Sequence, residues 1–229
     1  MLVAVLLVGE VGVYVTWRRP DSVADHLAVL QDNWLVGLLT LDLLGMIAYL
    51  ALIPTMLALH VALREGHEAV MAVTTVVYLV GIADFFATNT AFPMLDLSSR
   101  HAAATTDAER DRLLAAAEAM ATMFNENAFL VSYVLVSGSW LAASLIMLSS
   151  GPFSRTAGWA GVIAGAAGVV AVILEHITTN EGVLAAAIGC YFLALLALLV
   201  WVLLVGRTLL LTHAREHSRA RRRGGFPAS

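Results

Sequence analysis

Residues 183–206 read VLAAAIGCYFLALLALLVWVLLVG, an apolar run that no charged side chain interrupts. A helix crossing the ~30 Å hydrocarbon core of a bilayer needs ~17–25 such residues, so this stretch reads as a membrane span. Five further segments follow the same pattern: Met1–Trp17, Trp34–His60, Ala69–Phe92, Ala128–Leu148 and Thr156–Ile177. Met1–Trp17 is short and carries Glu10. It lacks a basic leader, and Trp17-Arg18-Arg19-Pro20 follows where a small-residue cleavage site would lie, so it reads as a span rather than a signal peptide. Trp34–His60 contains Pro54, an expected kink.

Composition agrees. Of 229 residues 60% are apolar and 13% charged, against roughly 45–50% and about 25% in soluble domains. Disorder is excluded, because it needs low hydrophobicity and high charge. The net charge of −4 gives no basis for nucleic-acid binding. All 13 basic residues are arginine, so no lysine exists for a retinal or other Schiff base. The single cysteine, Cys190, excludes an intrachain disulfide.

The expected architecture is therefore all-α: one domain over residues 1–212, a polytopic bundle of six transmembrane helices plus an amphipathic surface helix. Two long connections, 18–33 and 93–127, form caps on one side. Within the second, Thr106 precedes Glu109 by three residues, a capping-box spacing. Leu113, Ala117, Met120 and Phe124 then recur at helical intervals. This helix reads as lying on the bilayer or bundle, or as a lid. Residues 213–229 read as a basic tail suited to anionic lipid head groups.

Six crossings put both termini on one side, together with Arg64, Arg155, Arg207, Arg215, Arg219, Arg221, Arg222 and Arg223. The other side holds Arg18, Arg19, Arg100, Arg110 and Arg112. The excess predicts cytoplasmic termini. In the fifth span, Ala157, Gly161, Gly165 and Gly168 form a small-residue stripe fit for close helix packing.

Ionisable groups inside spans are costly and mark function. Here they are Glu10, Asp42, Asp84 and Glu175, with His176 next to Glu175 and Glu126 at the edge of the fourth span. Alternating the spans places all of these in one half of the membrane, on the side of the two caps. Gathered in low dielectric, such acids repel one another, and some are expected to hold a proton. Asp42, Asp84 and Glu175 are the leading acid/base candidates, with His176, Glu10 and Glu126 behind them. His26, His101 and His176 share that side and are the candidate metal ligands, although no two show metal-ligand spacing. The expected partners are membrane lipids and an apolar small molecule. Three readings remain open: acid/base chemistry on, or binding of, a lipid-like or isoprenoid molecule; a non-catalytic subunit or sensor; and a proton-coupled transporter.

Three stretches carry a resemblance: Asn33–Leu63 (NWLVGLLTLDLLG…LALHVAL), Asn89–Ala117 (NTAFPMLDLSSRHAAATTDAER…) and Met147–Gly168 (MLSSGPFSRTAGWAGVIAGAAG). Together they resemble a group of bacterial, often actinobacterial, multi-pass membrane proteins classed as a domain of unknown function. The resemblance implies a bacterial plasma-membrane protein and carries no catalytic motif. The short first span departs from that pattern, which usually has more residues before it.

Overall fold

A computed structural model describes residues 2–17, 20–149 and 152–223, with side chains as far as residue 211 apart from Tyr14. The described residues are helical, with no strand among them. Five described segments are long and apolar enough to cross a membrane: Leu43–Leu63, Glu68–Ala103, Asp107–Ser149, Arg155–Ile177 and Glu181–Leu211. The first span of the sequence reading is a helix of 15 residues, α1 (Leu2–Thr16). At ~1.5 Å per residue it extends only about 22 Å.

The bundle is a ring. α10 (Glu181–Arg223) packs on α9 (Arg155–Ile177), α9 on α8 (Phe129–Ser149), α8 on α5 (Glu68–Thr88), α5 on α4 (Leu43–Leu63), and α4 on α1, which closes against α10. Its core joins Leu7, Leu52, Met56, Tyr78, Trp140 and Trp201. Outward faces are apolar and exposed, as with Val70, Val73, Val76 and Val80 on α5. Such faces suit acyl chains, because each helix satisfies its own backbone polar groups.

A second cluster caps one end. It draws on α2 (Val23–Asp32), α3 (Trp34–Thr40), α6 (Ala91–Ala103) and α7 (Asp107–Met123). The cap is pinned where the buried Ser98 hydroxyl donates to the Leu27 carbonyl at 2.7 Å. Short polar side chains start its helices. Ser22 Oγ accepts from the Asp25 N–H, Asn33 Oδ1 from those of Leu35 and Val36, and Thr106 Oγ1 from that of Glu109.

Three expectations change here. The segment Trp34–His60 is not one span: it breaks at Leu41–Asp42 into α3 and α4, while Pro54 lies inside an unbroken α4. The chain turns at Asp42 because α3 docks on α2 and α6 of the cap and α4 joins the bundle. The single expected surface helix is two, α6 and α7, and α6 begins right after the end of α5, at Asn89–Thr90. The residues expected to form the tail continue α10 as helix to Arg223. The side chains of its arginines, and the whole of Arg18 and Arg19, lie outside the described residues. Leu113, Ala117 and Phe124 are buried and Met120 is half-buried, as their spacing implied.

Candidate functional site

The site begins at the break between α3 and α4. Thr40 Oγ1 donates to the Gly37 carbonyl and the Leu41 N–H to that of Leu38, which tightens the last turn of α3. Asp42 then adopts φ 66°, the one positive φ at a non-glycine residue among those described. Aspartate tolerates this left-handed region better than most residues. One turn on, Gly45 leaves room for a carboxyl from α1. A methyl group at Gly45 would stand 3.2 Å from Glu10 Oε1 and 3.8 Å from Asp42 Cβ. The Glu10 and Asp42 carboxyls are close enough to repel each other electrostatically.

Three tyrosines extend the cluster. Tyr49 of α4 lies within electrostatic reach of Glu10, Asp42 and Tyr133. Tyr133 of α8 lies within electrostatic reach of both Glu10 and Glu175. The rings of Tyr133 and Tyr191 meet edge to face at 5.6 Å, and the Tyr191 hydroxyl donates to Glu175 Oε2 at 2.6 Å. Asp42, Glu10, Tyr49 and Tyr133 thus lie within electrostatic reach of one another in sequence, and ring contact and a hydrogen bond carry the series on through Tyr191 to Glu175. An aromatic wall flanks it: Tyr49 packs on Phe85 at 4.9 Å, Phe85 on Phe124 at 5.9 Å, and Phe129 on Tyr133 at 5.2 Å. Sequence reasoning missed the tyrosines. Their available signal was a phenol placed within an apolar span, where its hydroxyl must find a partner.

The remaining candidates fall differently. Between α7 and α8 the chain makes one π turn, Phe124–Ala128, which interrupts the regular carbonyl ladder. His176 reaches across to it: Nε2 lies 3.0 Å from the Asn125 carbonyl, and Nδ1 lies 2.8 Å from the Val172 carbonyl of its own helix. Both partners are acceptors, so a neutral ring can donate to only one of them at a time. The histidine therefore ties the end of α9 to the start of α8. Glu126 sits exposed on the π turn. Asp84 is half-buried on α5, and its Oδ2 is buried without a hydrogen-bond partner. Among the described residues none of the links from Asp42 to Glu175 passes through Asp84 or Glu126. His26, His101 and His176 stand on α2, α6 and α9, and among the described residues no three His, Cys, Asp or Glu side chains gather as a metal site.

Further buried polar atoms lack partners: the hydroxyls of Tyr78, Ser137 and Ser144 and the indole N–H of Trp201. Chemically, carboxyls and phenols on an aromatic wall can hold, donate or accept protons in a region of low dielectric. No curated protein and no solved structure matches the chain. A family model does match, over residues 1–206, which takes in the cap and the helical ring up to Gly206 of α10. The chain belongs to that family, DUF4386, a domain of unknown function.

Proposed function

We propose that this protein is a multi-pass protein of a bacterial plasma membrane, with both termini in the cytoplasm, and that it binds a lipid-like or isoprenoid molecule at a carboxylate-lined site in one leaflet and acts on it by acid/base chemistry. The observation that carries this reading is the grouping of Asp42, Glu10, Tyr49 and Tyr133 within electrostatic reach of one another, extended by the Tyr133–Tyr191 ring contact and the Tyr191–Glu175 hydrogen bond. Proton donors and acceptors of this kind, set against aromatic rings inside an apolar bundle, suit an apolar molecule with one reactive or polar end.

The test is retention. Native mass spectrometry and solvent extraction of the protein in mild detergent should show an apolar molecule in stoichiometric amount. A Glu10→Gln, Asp42→Asn double variant that keeps its helical circular dichroism should lose it. Equal retention of the same lipids by both proteins overturns the reading. The break at Asp42 favours a second reading, a proton-coupled carrier, because interrupted helices mark binding sites in transporters. Proton uptake by liposomes carrying the protein, abolished by Asp42→Asn, would select it.

A further inference from the structure

We propose that His176 is a proton-operated latch on the π turn: doubly protonated it holds the turn and keeps Phe124 in the aromatic wall, and on losing a proton it lets both go. The inference goes beyond the ligand argued above, because the latch acts on the wall whatever the site receives. It begins with one carbonyl. In a regular α-helix the Phe129 N–H would bond to the carbonyl four residues back, that of Asn125. In the π turn it bonds instead to the Phe124 carbonyl, one residue further back. The Asn125 carbonyl thus loses its regular donor, and His176 Nε2 stands 3.0 Å from that oxygen in its place. A side chain of α9 does what a backbone N–H does elsewhere in the helix.

The ring's other nitrogen makes this hold depend on charge. Nδ1 lies 2.8 Å from the Val172 carbonyl, also an acceptor. An imidazolium has an N–H on each nitrogen and satisfies both carbonyls, whereas a neutral ring sets one bare nitrogen against one of them. The ring is rigid, so turning it to relieve that contact carries Nε2 off Asn125. The freed carbonyl can then take the Phe129 N–H and close the turn to α-helix. Each α-helical residue turns the chain by about 100°, so Phe124 is displaced. Phe124 is buried and central to the wall. Its ring meets Phe85 at 5.9 Å and Phe129 at 6.0 Å, and Phe129 meets Tyr133 at 5.2 Å. His176 is the second-last residue of α9 and half-buried, within reach of protons from water. The other titratable groups at this end of the packed elements are Glu175 on α9, Glu126 on the π turn, Tyr133 on α8, and Glu181, Cys190 and Tyr191 on α10.

The test needs no ligand, so its failure leaves the lipid-like reading standing. Full-length protein in nanodiscs of neutral lipid, with 4-fluorophenylalanine in place of Phe124, is read by fluorine NMR between about pH 5 and 8, where histidine changes charge. The otherwise wild-type protein should show one signal at the acid end that gives way to a second as pH rises. His176→Gln has an amide that donates without titrating, so it should keep the acid-end signal throughout. His176→Leu donates nothing and should show the alkaline-end signal throughout. A signal that ignores pH in the protein with His176 intact overturns the latch. So does a pH response that survives in His176→Leu, since it would belong to another of the groups named above. Should that variant fail to fold, the same response surviving in His176→Gln decides against the latch equally.

Discussion

Asp42 has two separable roles, because its backbone and its carboxyl serve different ends. Its left-handed φ of 66° joins α3 to α4, and its carboxyl lies within electrostatic reach of Glu10. A side chain without a polar group pays roughly 1–2 kcal/mol to sit in that region, and glycine pays nothing. Asp42→Gly should therefore match or exceed the wild type in thermal stability, while Asp42→Ala should fall below Asp42→Gly by about 1 kcal/mol. Both should lose ligand retention equally, since both lack the carboxyl. Melting curves in one detergent, paired with mass spectrometry of the retained molecule, check this. Equal stability of the Gly and Ala variants would mean that the left-handed turn carries no strain. The acids themselves were legible at this scale: a carboxylate in an apolar run stands out by its desolvation cost. The phenols were not, because tyrosine counts as apolar in any hydropathy reading, and its hydroxyl matters only when a neighbour such as Glu175 is known.

At the scale of elements, the α8–α9 seam tests what the small-residue stripe does. At Gly165 the backbones approach closely: a Cβ there would lie 2.6 Å from both the Leu141 nitrogen and the Ser137 carbonyl oxygen. Those are backbone atoms of α8, so no rotamer change relieves the clash. Gly165→Ala should cost on the order of 1–3 kcal/mol through overpacking. Gly189 on α10 has open space where its Cβ would be. Gly189→Ala should therefore be neutral or stabilising by up to about 1 kcal/mol, the gain in helix propensity. Unfolding in a detergent series compares the two directly, and equal effects would mean that close packing at Gly165 contributes nothing. The stripe was readable because spacing alone specifies it. The break at Leu41–Asp42 was not. The one mark in LVGLLTLDLLG is Asp42, an N-cap residue type that reads equally well as a carboxylate inside a continuous span; the turn follows from α3 docking onto α2 and α6. Pro54, the residue that does look like a breaker, sits exposed in α4, which continues through it to Leu63.

For the whole molecule, the open quantity is the number of crossings, and α1 decides it. Five described segments meet the length and hydropathy of a span, whereas α1 has 15 residues. At ~1.5 Å per residue it falls about 8 Å short of a ~30 Å core. Yet α1 closes the ring between α4 and α10, with Val3, Leu7 and Val13 buried. A helix in that position lies alongside two spans, and a short helix can be accommodated by local thinning of the bilayer. From this placement we predict six crossings and, from the arginine excess, both termini in the cytoplasm. Single cysteines placed at Leu2 and at Ser229, in a Cys190→Ser background, test it. Neither should react with a membrane-impermeant maleimide added to intact cells, and both should react once the membrane is opened. Labelling of Leu2→Cys alone in intact cells would show α1 outside the membrane plane and five crossings. It would also separate Glu10 from Asp42 and so dismantle the proposed site, because their proximity exists only when α1 runs beside α4 through the bilayer.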